Sequence, residues 1–322
     1  MPRSLPQTLK EHKWVFASEA KQSQGVDRHA DQGSARNDQV RGKIIMDKNS
    51  VVLISGCSSG IGLALAREFA SRGCKVFATA RKLSVIENLK KEGMDIAALD
   101  VTDQKSIDAC VAEVMAKAGK NDVLDNNAGY ALMGPVIDLS MDDLRLQFET
   151  NVIGLIALTK ACAPHMIKQH SGVIVNIASV SGVCATPFAG AYCGTKAAVN
   201  LLSDSLRMEL APFGISVITV QPGAIKSSFG DAAAQKIGQY DKSVYAPIAG
   251  YIIARAAASQ KNPTSAEEFS KMLIDKLFRT KIPKLIRIGN ESVRLPLLTK
   301  LPVDMLDNMM SKVFGLDILK KK

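Results

Sequence analysis

The sequence predicts an α/β fold, a doubly wound parallel sheet in a single domain. From residue 50 onward, short apolar runs typical of buried strands alternate with longer segments of helical periodicity. Helices between consecutive strands require parallel pairing through right-handed crossovers. Hydrophobic residues make up 47% of the 322 residues, which is enough for a large core.

The predicted strands and helices follow one another closely along the chain. Strands are expected at 51–54, 75–80, 95–99, 122–126, 173–177, 215–220 and 285–288. Helices are expected over 61–72, 103–118 and 142–170, the last with a kink at Pro164. Residues 224–275 interrupt this rhythm with Ala-rich helical sequence directly after a strand end, where a helical substrate lid would be inserted.

Residues 1–45 differ from the rest of the chain. They are polar and lack sustained periodicity. Their five acidic residues argue against a mitochondrial presequence, and they contain no apolar run of the secretory kind. For residues 1–45 we expect either a disordered tail or a start codon assigned too far upstream. We expect a folded domain over 46–290 and a C-terminal extension over 291–322.

The net charge of +10 is concentrated in the C-terminal part of the chain. Residues 46–275 carry 22 basic and 22 acidic side chains, whereas 276–322 carry 11 basic and 4 acidic ones. A nucleic-acid interface would spread its cations over a docking face with aromatic residues, so we expect no nucleic-acid partner. A basic, partly apolar end fits an anionic membrane surface, and a merely solvated tail is the alternative.

Cysteine and histidine usage indicates the compartment. The six cysteines form no Cys-x-x-Cys pair and accompany no secretion signal, which predicts reduced thiols in a cytoplasmic protein. The four histidines lack metal-ligand spacing, so we expect no metal site.

The C-terminal extension contains an amphipathic helix. Asp304 is the expected N-cap. An apolar stripe follows at helical spacing, formed by Leu306, Met309, Met310, Val313 and Phe314. Such a helix either packs on the domain and closes a pocket, or lies on a membrane as a peripheral anchor.

The turn after the first strand reads Gly-x-x-x-Gly-x-Gly. Glycines let the backbone approach a pyrophosphate, and the helix N-terminus that follows stabilises its charge. This predicts a Rossmann-type dinucleotide site. Its expected residues are Gly56, Ser58, Ser59, Gly60, Ile61 and Gly62.

The end of the second strand indicates which dinucleotide binds. NAD sites place an acidic residue there, whereas this chain has Ala80 followed by Arg81 and Lys82. Two cations would attract a 2′-phosphate, so we expect NADP(H), with a solvated charge pair as the alternative. Asp100, at the end of the third strand, could meet the adenine ring.

A hydroxyl, a phenol and an ammonium come together at the fifth strand and its helix. Ser179 follows the strand, and Tyr192 and Lys196 lie about one helical turn apart. A lysine cation would lower the tyrosine pKa, so that the phenol could exchange a proton with a carbonyl or alcohol oxygen held by the serine. Alone, such a pair is also found by chance on solvated helices.

Together these motifs resemble the short-chain dehydrogenase/reductase family over about residues 50–290. The matching residues are SGCSSGIG at 55–62, Asp100 with Val101, the Asn126–Gly129 sequence NNAG, Asn151, Ser179, Tyr192, Lys196 and Pro222 with Gly223. The resemblance implies that Tyr192 is the acid–base group, Ser179 orients the carbonyl, Lys196 binds the nicotinamide ribose and Asn151 holds a relay water. It further implies cofactor contacts from Val101, Asn127, Ala128, Gly129, Tyr192, Lys196, Pro222, Gly223 and Ser227.

Two residues depart from the family pattern. Ser55 replaces a usual threonine but keeps the hydroxyl. Asp125 occupies a position that is normally apolar, where a carboxylate would have to pair locally or raise its pKa.

The subgroup that the chain resembles includes 17β-hydroxysteroid dehydrogenases, retinol dehydrogenases and 1-acyldihydroxyacetone-phosphate reductases. This implies an NADPH-dependent reductase of a small lipophilic ketone, with acyl-dihydroxyacetone phosphate as the sharpest expectation. Lys226, Lys236 and Lys242 near the lid would suit a phosphorylated head group, or they are simply solvated. Family members are often dimers or tetramers, which implies a homo-oligomer unless the extension covers that interface. A non-catalytic NADP-sensing protein is the alternative from another class.

Overall fold

The computed structural model describes residues 46–226 and 240–321. Two parts of the chain therefore lie outside the described residues: the tail expected over 1–45, and the lid residues 227–239, which include Ser227. The described residues belong to one compact unit.

Seven parallel strands form one sheet in the order β3-β2-β1-β4-β5-β6-β7. They are β1 (Val51–Ile54), β2 (Lys75–Ala80), β3 (Asp95–Ala98), β4 (Val123–Asn126), β5 (Gly172–Ile177), β6 (Ile215–Pro222) and β7 (Leu285–Ile288). The predicted doubly wound sheet is confirmed, and the strand bounds differ from the predicted ones by at most two residues.

Helices connect the strands and cover both faces of the sheet. They are α1 (Gly60–Ser71), α2 (Asn88–Lys91), α3 (Gln104–Ala118), α4 (Met141–Phe148), α5 (Gly154–Gln169), α6 (Gly190–Leu210), α7 (Ala249–Ala256), α8 (Ala266–Leu277), α9 (Arg294–Leu298) and α10 (Val303–Val313). Short 3₁₀ turns include Val180–Gly182 and Leu316–Lys321.

The core consists of two apolar layers, one on each face of the sheet. In β1, Val52 and Ile54 belong to the layer that contains Phe69 and Phe269 of α1 and α8. Val51 and Leu53 belong to the other layer, with residues of α3, α5 and α6. All four β1 residues are buried, because a parallel strand between two helix layers has no solvent face.

The strand order places the site. After β1 the chain builds outward to β3, then returns to add β4 on the other side of β1. The carboxyl ends of β1 and β4 therefore diverge at a topological switch point, where ligands bind in open α/β sheets. The loops after β1, β4, β5 and β6 converge on this edge.

Two helix predictions were wrong in detail. The stretch expected over 142–170 is divided by a π-helical turn at Glu149–Ile153, and α5 continues through Pro164. Asp304 is not an N-cap: α10 begins at Val303 after Pro302, and Asp304 lies in its first turn. An acidic residue there still interacts favourably with the helix dipole.

The extension packs on the domain. Phe314, Leu316 and Leu319 contact a buried cluster that includes Phe188 and Ile252. The Phe188 and Phe314 rings lie edge to face with centroids 6.3 Å apart. Of the predicted stripe, Met310 is buried, but Val313 is 60% exposed because it sits where α10 ends. Within the described ranges, no helix combines the length and apolar character needed to cross a membrane.

Candidate active site

The β1–α1 loop has the backbone shape expected of a phosphate cradle. Gly56 and Gly60 adopt positive φ angles of 79° and 59°. A Cβ on Gly62 would collide with the Gly56 carbonyl oxygen and the Asn127 amide nitrogen. Only glycine fits at this approach, so the loop and the helix N-terminus keep the close backbone spacing that a pyrophosphate requires.

The other loop residues surround this cradle. Ser59 is the N-cap residue of α1 with extended backbone, Ser58 is exposed, and Gly60 and Ile61 are partly buried. The described residues thus have the backbone shape and the helix N-terminus that a dinucleotide phosphate requires.

Ser55 joins the loop after β1 to the loop after β4. Its Oγ accepts hydrogen bonds from the backbone N–H groups of Asn127 and Ala128 at 3.1 and 3.0 Å. The Asn127 side chain donates in return to the carbonyl oxygens of Ser55 and Gly56 at 2.9 and 3.1 Å. The hydroxyl retained at Ser55 therefore holds the two cofactor-side loops together.

Two cations lie directly after β2, on the same side of the sheet as the phosphate loop. Arg81 and Lys82 follow β2 and are exposed, and neither has a carboxylate within ion-pair distance among the described residues. Asp100 lies near Arg81. Burial opposes the ionised form of Asp100, but hydrogen bonds from Thr102 and the Arg81 charge outweigh it and lower the pKa of Asp100. Val101, the next residue, is buried.

The predicted trio of Ser179, Tyr192 and Lys196 is brought together. Ser179 follows β5, and the other two lie in the first two turns of α6. They are 7%, 9% and 5% exposed, respectively. A hydrogen bond with Ser179 stabilises the Tyr192 phenolate, and the Lys196 Nζ lies 5.9 Å from the Tyr192 ring centroid. The motif is therefore not a solvated helix face.

The electrostatics of the trio differ from the expectation. Burial raises the pKa of Tyr192 to about 12, although Ser179 and the charge of Arg255 act in the opposite direction. Burial also lowers the pKa of Lys196 to about 8, and its Nζ donates to the Ile177 carbonyl oxygen at 2.6 Å. The prediction that Lys196 depresses the tyrosine pKa was wrong for this arrangement, because desolvation of the phenolate dominates.

Asn151 lies in the π-helical turn and is buried. Its Oδ1 accepts from the Tyr130 N–H at 3.0 Å, while its Nδ2 donates to the Tyr130 carbonyl at 2.8 Å and to Thr195 Oγ1 at 3.1 Å. Gly129 leaves room for this amide, since a Cβ there would lie 3.0 Å from Asn151 Oδ1. The side chain thus joins the loop after β4 to α6, and a π-turn at this place is typical of functional sites.

Asp125 is a buried carboxyl beneath the phosphate loop. It is 0% exposed, and both carboxyl oxygens lack a hydrogen-bond partner among the described residues. Burial raises its pKa to about 8. Of the two outcomes expected from the sequence, local pairing or a raised pKa, the structure has the second.

The loop after β6 completes the edge. Pro222 ends β6, and a Cβ on Gly223 would collide with the Asn290 carbonyl oxygen. Ser227, which the family resemblance implied as a cofactor contact, lies outside the described residues. Across 46–226 and 240–321, no group of three or more His, Cys, Asp or Glu side chains is arranged to hold a metal ion.

Sequence reasoning missed Arg255. It extends from α7, is partly buried, and donates from Nε to Thr186 Oγ1 at 2.8 Å. Its neighbour Ala256 packs in one cluster with Tyr192 and Cys193. A single cation in the apolar run YIIARAAA was the signal available, but the sequence alone does not place α7 against α6.

The chain matches the short chain dehydrogenase family over residues 50–238. It is 31% identical to a short-chain dehydrogenase/reductase of Pestalotiopsis microspora over 283 residues, which cover 86% of this chain and 98% of that protein. The chain belongs to the short-chain dehydrogenase family. This family consists of oxidoreductases whose fold binds a nicotinamide cofactor, and the expected family resemblance is confirmed.

Other relatives and a solved structure agree with this assignment. The chain is 39% identical over 184 residues to an NADPH-dependent 1-acyldihydroxyacetone phosphate reductase of Schizosaccharomyces pombe, covering 56% of this chain and 62% of that one. It is 37% identical over 181 residues to a 3-ketodihydrosphingosine reductase of Bacteroides thetaiotaomicron, covering 56% and 66%. In both cases the match spans less than two thirds of the relative's own length. A short-chain dehydrogenase from Streptomyces avermitilis superposes with a TM-score of 0.68 at 30% identity, covering 85% of this chain and 98% of that one.

Proposed function

We propose that the protein is an NADPH-dependent reductase of a lipophilic ketone. The observation that carries this proposal is the burial of Ser179, Tyr192 and Lys196 together at the carboxyl edge of the sheet, next to a glycine loop with the backbone of a phosphate cradle. A proton donor beside a nicotinamide site is what reduction of a carbonyl requires.

Each polar group of the site has a separate task in this proposal. The bound nicotinamide cofactor supplies the hydride. Tyr192 gives its phenolic proton to the carbonyl oxygen, and the raised pKa keeps that proton in place at neutral pH. Ser179 donates a hydrogen bond to the same oxygen and fixes its position. Lys196 contacts the nicotinamide ribose through its ammonium group.

Asn151 is the residue that positions the relay water in this proposal. Its side-chain amide is already bonded to Tyr130 and Thr195, so we propose that its backbone, which lies in the π-helical turn, meets the relay water. In the cofactor half, Gly56 to Gly62 would hold the pyrophosphate, and Asn127, Ala128 and Gly129 would line the floor.

The preference for NADP(H) is supported by Arg81 and Lys82. Both are exposed at the end of β2, where an NAD site would carry a carboxylate. The phosphate of the adenine ribose would find two cations that have no described carboxylate within ion-pair distance. The Schizosaccharomyces pombe relative is named as NADPH-dependent, in agreement with this choice.

Among lipophilic ketones, acyl-dihydroxyacetone phosphate is the substrate we propose. Both relatives described above are named as reductases of lipid ketones, and one of them acts on this compound. Steroid or retinoid dehydrogenation is the second candidate, favoured by the apolar cluster around Phe188 beside the site.

We propose residues 46–290 as the catalytic domain, with the lid and the extension closing its substrate side together. The Phe188 cluster supports this, because it joins Ile248 and Ile252 of the lid region to Phe314 of the extension. Membrane contact is a separate proposal, supported by Val303 and Met305, which are 72% and 58% exposed on α10. Flotation with anionic liposomes should weaken for the Val303→Asp, Met305→Asp double variant, and unchanged flotation would contradict that contact.

An NADPH-oxidation screen tests the proposed function. The full chain is assayed with acyl-dihydroxyacetone phosphate, 3-ketodihydrosphingosine, a 17-ketosteroid and retinal. We expect turnover with the first compound at a kcat/KM at least tenfold above the others. Turnover of the steroid or retinal alone would establish the second candidate, and NADPH binding without oxidation of any ketone would favour a cofactor-sensing protein.

A further inference from the structure

Arg255 is a cation next to the acid–base group Tyr192. Its guanidinium donates from Nε to the neutral Thr186 hydroxyl at 2.8 Å. None of the carboxylates in the described part of the chain lies within ion-pair distance of it. The Arg255 charge nevertheless acts on two side chains of α6: burial raises the pKa of Tyr192 and of Cys193, and the Arg255 charge partly opposes that rise in both.

Five of the other described arginines form ion pairs, and the three that form none, Arg81, Arg279 and Arg287, are exposed. Arg67, Arg72, Arg145, Arg207 and Arg294 each contact a carboxylate at the surface. Arg255 is partly buried, and burial lowers its own pKa. A cation withdrawn from water is costly unless an anion or several acceptors offset the lost hydration. One neutral hydroxyl offsets little of it, so the position suits an anion supplied from outside the chain.

The surroundings hold Arg255 in place. On one side of α7, Ala256 packs with Tyr192 and Cys193. On the other, Ile252 packs in the aromatic cluster, where the Phe188 ring meets the Tyr245 and Phe314 rings at 5.8 and 6.3 Å. With Nε committed to Thr186, the two terminal nitrogens of the guanidinium keep their four N–H groups, which form the planar fork that matches phosphate oxygens.

We propose that Arg255 binds the phosphate monoester of the substrate and so determines head-group specificity. This rests on the proposed reductase function and deepens it. In acyl-dihydroxyacetone phosphate only a methylene carbon and an ester oxygen separate the ketone carbon from phosphorus. A phosphate so close to the reacting carbonyl must be met by a cation close to Tyr192. Of the three lid cations that the sequence suggested for this task, Lys226 and Lys242 are exposed, and Lys236 lies outside the described residues.

The same position disfavours other lipid ketones. A 3-keto sphingoid base carries an ammonium group beside its ketone, which the Arg255 charge would repel. Ketosteroids and retinal carry no charge and would leave the guanidinium unpaired. Arg255 therefore selects between substrate classes that all satisfy Ser179, Tyr192 and Lys196.

The test compares a phosphorylated ketone with its neutral counterpart. The NADPH-loaded full chain and its Arg255→Gln variant are assayed with 1-acyl-dihydroxyacetone phosphate and with 1-acyl-dihydroxyacetone. For the variant we expect kcat/KM to fall roughly 10- to 100-fold on the phosphate ester, mostly through KM, because a charge-assisted contact is lost. The neutral ketone should change less than about threefold. Equal losses on both ketones, or none, would overturn the proposal.

Three further variants separate charge from packing. Arg255→Lys keeps the charge and should recover part of the phosphate preference. Thr186→Val removes the neutral hydrogen bond but keeps the cation, so the preference should persist. Arg279→Gln removes an exposed arginine outside the site and should leave both substrates unaffected.

A binding measurement keeps the test independent of turnover. Calorimetry of the NADP-loaded protein with sn-glycerol 3-phosphate should show binding that Arg255→Gln weakens at least tenfold and Arg279→Gln does not. Such binding without reduction of any ketone would support the phosphate subsite while the proposed reductase function fails. Failure of the wild-type protein to bind the phosphate would overturn the Arg255 assignment, even if a neutral ketone is reduced.

Discussion

The proposed cofactor half and the proposed substrate half of the site are built in different ways. The cofactor half consists of turns that directly follow β1, β2 and β4, and glycine positions such as Gly56 and Gly62 define its shape. The substrate half is assembled from Phe188 and Tyr245, together with Arg255 and Phe314, which arrive from separate segments. Local turns are encoded within a few residues, whereas the substrate wall depends on long-range packing. Substitutions should therefore act on one half at a time.

The largest effect on stability is expected from Asp125→Val, beneath the cofactor half. The pKa of this acid is raised from the ordinary value near 4 to about 8, so the folded protein binds the proton more tightly than the unfolded chain. The buried Asp125 carboxyl therefore lowers the free energy of unfolding. This destabilisation is absent below pH 4, grows as the pH rises toward 8, and reaches about 4 kcal/mol near pH 7. Asp125→Val should raise the free energy of unfolding by up to about that amount at pH 8 and much less at pH 4.5.

Urea unfolding at both pH values measures this difference. The exposed Asp307→Val is the matched control and should leave the pH slope unchanged. An equal gain for Asp125→Val at both pH values would show that the pKa of Asp125 is not raised in the folded state.

The next largest effect is expected from Gly62→Val, inside the phosphate loop. The side chain would press on the Gly56 carbonyl, so we expect a loss of about 1–3 kcal/mol in stability and at least roughly tenfold weaker NADPH binding. Fluorescence titration of NADPH measures the second effect. Gly250→Ala, which meets open space in α7, should bind NADPH normally. If Gly62→Val also bound NADPH normally, the loop would not carry the pyrophosphate.

Arg81→Asp should change cofactor choice without changing the substrate half. We expect the ratio of kcat/KM for NADPH over NADH to fall roughly 10- to 100-fold, since a charge-assisted contact is replaced by repulsion. Lys91→Asp makes the same charge change on the exposed α2 and should preserve the ratio. A ratio unaltered by Arg81→Asp would contradict the proposed role.

The smallest effect is expected from Phe314→Ala, in the substrate half. It removes the ring that meets Phe188, which should raise the KM for the ketone several-fold while the Kd for NADPH stays constant. Steady-state kinetics measure the KM for the ketone, and NADPH titration measures the Kd. The control is Val313→Ala, at a residue that is 60% exposed. Equal changes in both constants would mean that the two halves are not separate.

The same contrast explains how far the sequence could predict this molecule. The strands, the glycine loop and the trio were predictable because each depends on periodicity or short spacing, as with Tyr192 and Lys196. The π-turn around Asn151 was not, because helical sequence does not reveal where one extra residue is inserted. Arg255 was missed because it comes close to Tyr192 only through the packing of α7 against α6, which the sequence alone does not predict. The Tyr192 pKa was predicted in the wrong direction because its burial depends on elements distant in sequence.

The central claim is that Tyr192 supplies a proton to a ketone beside a bound nicotinamide. The most direct measurement compares wild type and Tyr192→Phe in single-turnover NADPH oxidation with acyl-dihydroxyacetone phosphate, alongside NADPH titration. We predict a loss of at least about 100-fold in the rate, with the NADPH Kd within about twofold of wild type. Undiminished oxidation by Tyr192→Phe would contradict the claim.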